Sequence, residues 1–213
     1  MTQRSEIFEI NYKKYLAQIS ETDFTSIKEI LGTEVNDGQM IIPLFNRNYL
    51  VSKDGIVNES GKRPDYMICV ILSKYILLCP DIPHYDSEWT AFRDFKKTSH
   101  FTNINFFASD TEKPIAQNFS GKPDALTEAC VKSGGFINNK IFSYDLVMQF
   151  NALPKMSILL LFNDKDEEFS AECSVLFQKQ AEYYLDPESL AMTSAFLSKK
   201  LIDSKNSNTY NAI

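Results

Sequence analysis

Between Ser157 and Phe177 the sequence passes from an apolar run, Ile158-Leu159-Leu160-Leu161-Phe162, through the acidic cluster Asp164, Asp166, Glu167 and Glu168, into a segment that alternates residue by residue. Phe169, Ala171, Cys173, Val175 and Phe177 share one face of that segment; Glu168, Ser170, Glu172 and Ser174 share the other. Period two is the spacing of a half-buried strand. The stretch therefore predicts two strands joined through Asn163-Asp164-Lys165-Asp166, and it is the one place where carboxylates concentrate beside core.

Helical spacing governs most of the rest. Glu6 to Ile19 predicts a helix with Ile7, Ile10, Tyr15, Leu16 and Ile19 toward the core, and Phe24 to Leu31 a second one closed by Gly32. After Asp37-Gly38, short strands are expected at Gln39 to Phe45, Asn48 to Ser52 and Ile56 to Asn58, with Pro43 holding the first to an edge or a bulge. Pro64 or Asp65 opens a helix from Tyr66 to Cys79 that is apolar on nearly every side, which makes it central to the fold. The aromatic segment His84 to Phe107 predicts a short strand or turn followed by a helix. Helices are expected around Pro114 to Phe119, from Pro123 through Val131, and at Ser143 to Phe150 before Pro154. Asp186-Pro187-Glu188 starts a last helix with Leu190, Phe196, Leu197 and Leu201 on its core face, and residues 203–213 are expected to fray. Strands cluster in two places with helices between and after them, so the fold class is α+β, one domain over residues 1–213, with small antiparallel β elements against a central apolar helix and a C-terminal helix.

Composition narrows the function. An apolar fraction of 44% with 16 Phe and 10 Tyr supplies a packed core. A formal charge of −6 with only isolated basic pairs such as Lys96-Lys97 and Lys199-Lys200 argues against nucleic acid as a partner. The apolar run from Tyr66 to Cys79 is too short to span a bilayer, and the N-terminal residues lack the apolar core of a secretory signal, so a cytoplasmic protein without a membrane partner is expected. Cys69, Cys79, Cys130 and Cys173 are widely spaced in apolar surroundings, the pattern of buried thiols rather than of a disulfide framework or a zinc or iron–sulfur site.

Two constellations merit a functional reading. Asp164, Asp166 and Glu168 offer hard oxygen ligands suited to Mg²⁺ or Ca²⁺, although the Gly and closing Glu of an EF-hand loop are missing and a polar strand connection explains the same residues. Were Glu167 and Glu168 partly buried, Arg93 or Arg63 would pair with them structurally. Trp89, Phe92 and Arg93 provide aromatic walls and one anchoring charge for a flat ligand, while core packing is the plainer account of the rings. His84 beside Asp86 suits an acid or base role only with a nucleophile that no motif supplies; His100 stands alone. No GxSxG, HExxH, GxGxxG or phosphate loop is present.

The order of Tyr75-Ile76-Leu77, Trp89-Thr90-Ala91-Phe92-Arg93-Asp94-Phe95, Ser133-Gly134-Gly135 and Ala152-Leu153-Pro154 resembles the domain of unknown function 3786 family. Most specific is the C-terminal block Asp166-Glu167-Glu168-Phe169-Ser170-Ala171, Leu176-Phe177 and Tyr184-Leu185-Asp186-Pro187-Glu188-Ser189-Leu190-Ala191; the resemblance spans about residues 49–201. It implies a protein typical of bacterial and archaeal anaerobes, with no catalytic residues or cofactor to carry over. Some members resemble fusions to a cysteine-rich domain of corrinoid methyl-transfer systems, a cysteine cluster this chain lacks. The reading that results is a small-ligand or cofactor-binding module, with a metal-dependent hydrolase at the acidic cluster and an accessory interaction protein as its alternatives.

Overall fold

The computed structural model describes residues 3–96, 107–138 and 143–210. Its first part runs α1 (Gln3–Ser20), α2 (Phe24–Leu31), β1 (Glu34–Asn36), β2 (Gln39–Leu44), β3 (Arg47–Ser52), β4 (Gly55–Asn58) and α3 (Tyr66–Leu77). The second contains β5 (Trp89–Ala91), a 3₁₀ turn (Phe92–Asp94), a π-helical turn (Ala108–Glu112), α4 (Lys113–Phe119), α5 (Pro123–Lys132) and β6 (Gly135–Ile137). The third is β7 (Leu146–Leu153), β8 (Met156–Asn163), β9 (Glu172–Gln178), α6 (Ala181–Tyr184) and α7 (Pro187–Tyr210).

Every strand pairing among the described residues is antiparallel. The first sheet is the meander β1-β2-β3-β4 and the second has the order β5-β9-β8-β7-β6. Helices lie apart from the strands in sequence, the α+β arrangement that the segment order predicts. The second sheet is built around β8, buried from Met156 through Phe162, and its two neighbours alternate inward and outward residues. Pro43 pairs with Asn48 of β3 and lies beyond the reach of β1, which stops opposite Ile41, so its missing N–H falls on the open side. One hydrophobic cluster joins both sheets, and the Phe45 amide donates across them to the carbonyl of Ala152 at 2.9 Å.

The helix starts follow from their caps. Asp23 accepts from the Thr25 amide, Asp65 from Ile68 and Asp186 from Ser189, while Gly32, with φ of 66°, ends α2 in the left-handed conformation. Central α3 buries residues on all sides, and its Tyr75 hydroxyl donates to the Leu31 carbonyl at 2.7 Å and accepts from the Lys155 amide at 3.2 Å.

Two local expectations change, at Ser143 to Phe150 and on the buried face of α1. Ser143 to Phe150 is not a helix: residues from Leu146 form β7, because Met148, Phe150 and Ala152 alternate inward and Pro154-Lys155 turns the chain into β8. Gly135 begins β6, where an added Cβ would sit 2.6 Å from the Phe150 ring and 2.9 Å from the Cys130 carbonyl. Polar residues past Asp203 continue α7 to Tyr210. Within α1, the buried face is Tyr12 and Ile19 with Phe8 and Leu16 packed behind them; Ile7 and Ile10 point outward.

Candidate functional site

Among the described residues of the aromatic segment, Phe92, Phe95 and Phe107 fold into core. Phe92 is 2% exposed, stacked on Phe107 at 4.5 Å and tilted against Phe177. Phe95 joins the same group. Trp89 is half-buried on the short strand β5, and Arg93 points outward, its side chain 71% exposed and 3.9 Å from Asp94. Of the three residues, only Trp89 and Arg93 keep surface to offer a ligand. His100, Phe101 and Phe106 lie outside the described residues.

Beside this cluster the sheet edge changes partner. The strand β5 ends at Ala91 opposite Leu176, and one residue further along β9 the Val175 amide donates to Glu112 Oε1 at 2.9 Å. Glu112 closes the π-helical turn. Burial pushes its carboxyl above the ordinary range, against the lowering pull of that amide and of the Arg93 charge.

In the acidic connection the carboxylates turn onto backbone. Asp164 Oδ1 accepts from Gly121 at 2.6 Å and from Lys165 at 2.8 Å, fastening the β8–β9 connection to the loop between α4 and α5. Asp166 Oδ1 accepts from Glu168 and Phe169 at 2.8 and 2.7 Å, and these bonds hold its carboxyl below the usual range. Glu167 and Glu168 are exposed. No three His, Cys, Asp or Glu side chains among the described residues are grouped to hold a metal ion. Neither arginine reaches this turn: Arg63 pairs with Glu9 and Arg93 with Asp94.

An open groove of about 870 Å³ lies where the N-terminal half of α1, the start of α3 and α7 meet. Its walls are Ile7 and Phe8, Tyr66 and Met67, and Met192; Arg63, Asp65, Glu188 and Lys199 supply charges of both signs. Volume and lining fall within the range of small-molecule sites. Arg63 fixes one wall. Its guanidinium meets both carboxylate oxygens of Glu9, at 2.6 and 3.2 Å, and its Cζ stands 4.7 and 4.1 Å from the centroids of the Phe8 and Tyr12 rings. The Tyr12 hydroxyl accepts from the Ile56 amide at 2.9 Å, and Phe8 meets Tyr66 edge-on at 4.6 Å. Lys199 Nζ lies 3.8 Å from Asp65 Oδ2.

Residues 7–8, 63–67 and 188–199 are remote in sequence, so no window of the chain announces the groove. A signal was available in α1, which carries apolar residues on two faces when the fold needs one.

Among the four thiols Cys69, Cys130 and Cys173 are buried and Cys79 is half-buried. Burial pushes the Cys69 thiol to about 11 and raises those of Cys79, Cys130 and Cys173, which keeps them protonated at neutral pH. The His84 ring stacks on Tyr183 at 3.7 Å, and its backbone amide donates to the Tyr184 hydroxyl. No helix among the described residues is long and apolar enough to cross a membrane.

The model of the family described as Domain of unknown function (DUF3786) matches residues 23–200. No curated protein and no solved structure matches the chain.

Proposed function

We propose, from the premise that the chain belongs to the DUF3786 family of domains of unknown function, that it is a small-ligand-binding module whose ligand lies in the groove between α1, α3 and α7. The observation that carries this reading is the groove itself: about 870 Å³ walled by Ile7, Phe8, Tyr66, Met67 and Met192, with charged groups along its length. Such a lining suits an elongated molecule with an apolar body and a polar end. Arg63 positions the wall in a close pair with Glu9, whereas Lys199 stands at the longer distance of 3.8 Å from Asp65, so an acidic end group would compete with Asp65 for Lys199. The buried thiols and the turned-in carboxylates of 164–166 leave binding better supported than catalysis.

Native mass spectrometry and an absorption spectrum of anaerobically purified protein test this, alongside a thermal-shift panel of aliphatic and aromatic carboxylates. The expected result is a co-purifying small molecule, or a panel member stabilising the protein by about 2 to 3 kcal/mol at saturating concentration. Met192→Glu should abolish it while the unliganded protein, with a lower melting temperature because Met192 packs against the core, still unfolds cooperatively. A bare protein that no panel member stabilises speaks against the reading. A corrinoid or iron–sulfur chromophore would name the cofactor class.

A second reading keeps the ligand at Trp89 and Arg93, favoured by the half-buried indole on an edge strand and the outward guanidinium. Binding that fails in Trp89→Ala but survives Met192→Glu selects it.

A further inference from the structure

Among the described residues, the outer face of α1 stays exposed. At 3.6 residues per turn, Glu6, Ile7, Ile10, Lys13, Lys14 and Ala17 share one side of the helix, away from buried Tyr12 and Ile19. Ile7 and Ile10 stay 55% and 54% exposed. Water-facing helix sides are ordinarily polar. Here two isoleucines occupy the middle, with an acid toward the N-terminus and two lysines toward the C-terminus. Neither Glu6 nor Lys14 closes an ion pair among the described residues.

The order acid, aliphatic, base along one face is complementary to itself when reversed. An antiparallel copy related by a two-fold axis at Ile10 sets Ile10 on Ile10, Glu6 opposite Lys14 and Lys14 opposite Glu6. A parallel pairing would put lysine on lysine and carboxylate on carboxylate, which charge disfavours. Tyr66, 41% exposed and edge-on to Phe8, extends the apolar area next to Ile7. We infer that this face binds a second copy of the chain, α1 against α1 in antiparallel orientation, to form a homodimer. The partner helix then lies along the side of the groove that Ile7 borders. Helix α1 precedes residues 23–200, so the surface belongs to the part of the chain outside the family match.

Helix length sets the strength. An 18-residue helix is about 27 Å long, and two of them side by side bury less than the roughly 1,600 Å² of a standard interface. A reversible dimer, dissociating in the micromolar range, is therefore expected.

Analytical ultracentrifugation from about 1 μM to about 1 mM tests the inference, with no ligand needed. The wild-type chain should show a concentration-dependent monomer–dimer equilibrium, and Ile10→Glu should be monomeric throughout with an unchanged melting temperature. Lys14→Glu should weaken the dimer about tenfold, and the double variant Glu6→Lys with Lys14→Glu should restore it, since the exchanged charges face each other again. The restored double variant decides the matter even if Ile10→Glu folds poorly. A chain still monomeric at about 1 mM, or a dimer indifferent to these substitutions, overturns the inference.

Discussion

Around Arg63 the rings of Phe8 and Tyr12 face a guanidinium; around Arg93 the rings of Phe92, Phe107 and Phe177 face one another. Both regions draw on the same residue types. In the first, three separate elements meet, and the arginine lies between them, clamped by Glu9, so that the rings stop at the lip of a groove. In the second, ring and charge are neighbours in the chain, and the backbone turn sends Phe92 inward and Arg93 outward. Aromatic residues beside an arginine thus line an open groove here because different elements meet around them. Consecutive residues are divided between core and solvent.

Substitutions sharpen this contrast. The largest effect is expected at Phe92→Ala, about 3 to 5 kcal/mol lost in urea denaturation, because the truncated ring leaves a hole among packed aromatics. Tyr66→Ala at the groove lip should lose less than half of that, and equal losses would erase the distinction between the regions.

Next comes Glu112→Ala, which strands the Val175 amide and should cost about 1 to 3 kcal/mol, whereas Glu112→Gln keeps an acceptor and should cost little. The pH dependence carries its own sign. Burial holds the folded Glu112 carboxyl above its unfolded value, so the folded state binds the proton more tightly. Its contribution to stability is fully present below the unfolded pKa of about 4.3 and is lost as pH rises through the raised folded value. Denaturation across that window should show a slope in the wild-type chain that Glu112→Gln flattens.

The smallest effect is at Arg63→Ala, about 1 kcal/mol from the lost ring contacts, since both partners of the ion pair are partly exposed. Hydrogen exchange should nevertheless speed up selectively in the first half of α1. Uniform exchange across the protein would deny Arg63 its role as a clamp.

Sequence patterns were informative wherever structure is local. Gly32, Asp65 and Asp186 marked helix ends through a left-handed residue or side-chain caps, and the alternation of Cys173, Val175 and Phe177 marked β9, which starts at Glu172 and leaves Phe169 exposed. They failed at β7, whose short period-two pattern is hard to tell from a helix turn until β8 pairs with it. They also failed at the groove, since Ile7, Tyr66 and Met192 come together only through the packing of α1, α3 and α7. The acidic turn stood out in sequence because its charges are concentrated, but concentration says nothing about direction, and Asp164 and Asp166 face amides of the chain.

The Glu112–Val175 hydrogen bond has a consequence for solubility. Among the described residues β5 pairs with β9 only from Leu176 to Gln178, and an unpaired strand edge is a template on which another chain can add and begin an aggregate. A carboxylate already bound to the next amide removes the donor that an incoming strand would need first. Loss of that side chain would therefore show as slow precipitation in storage or during refolding, in preparations whose folded fraction still looks normal.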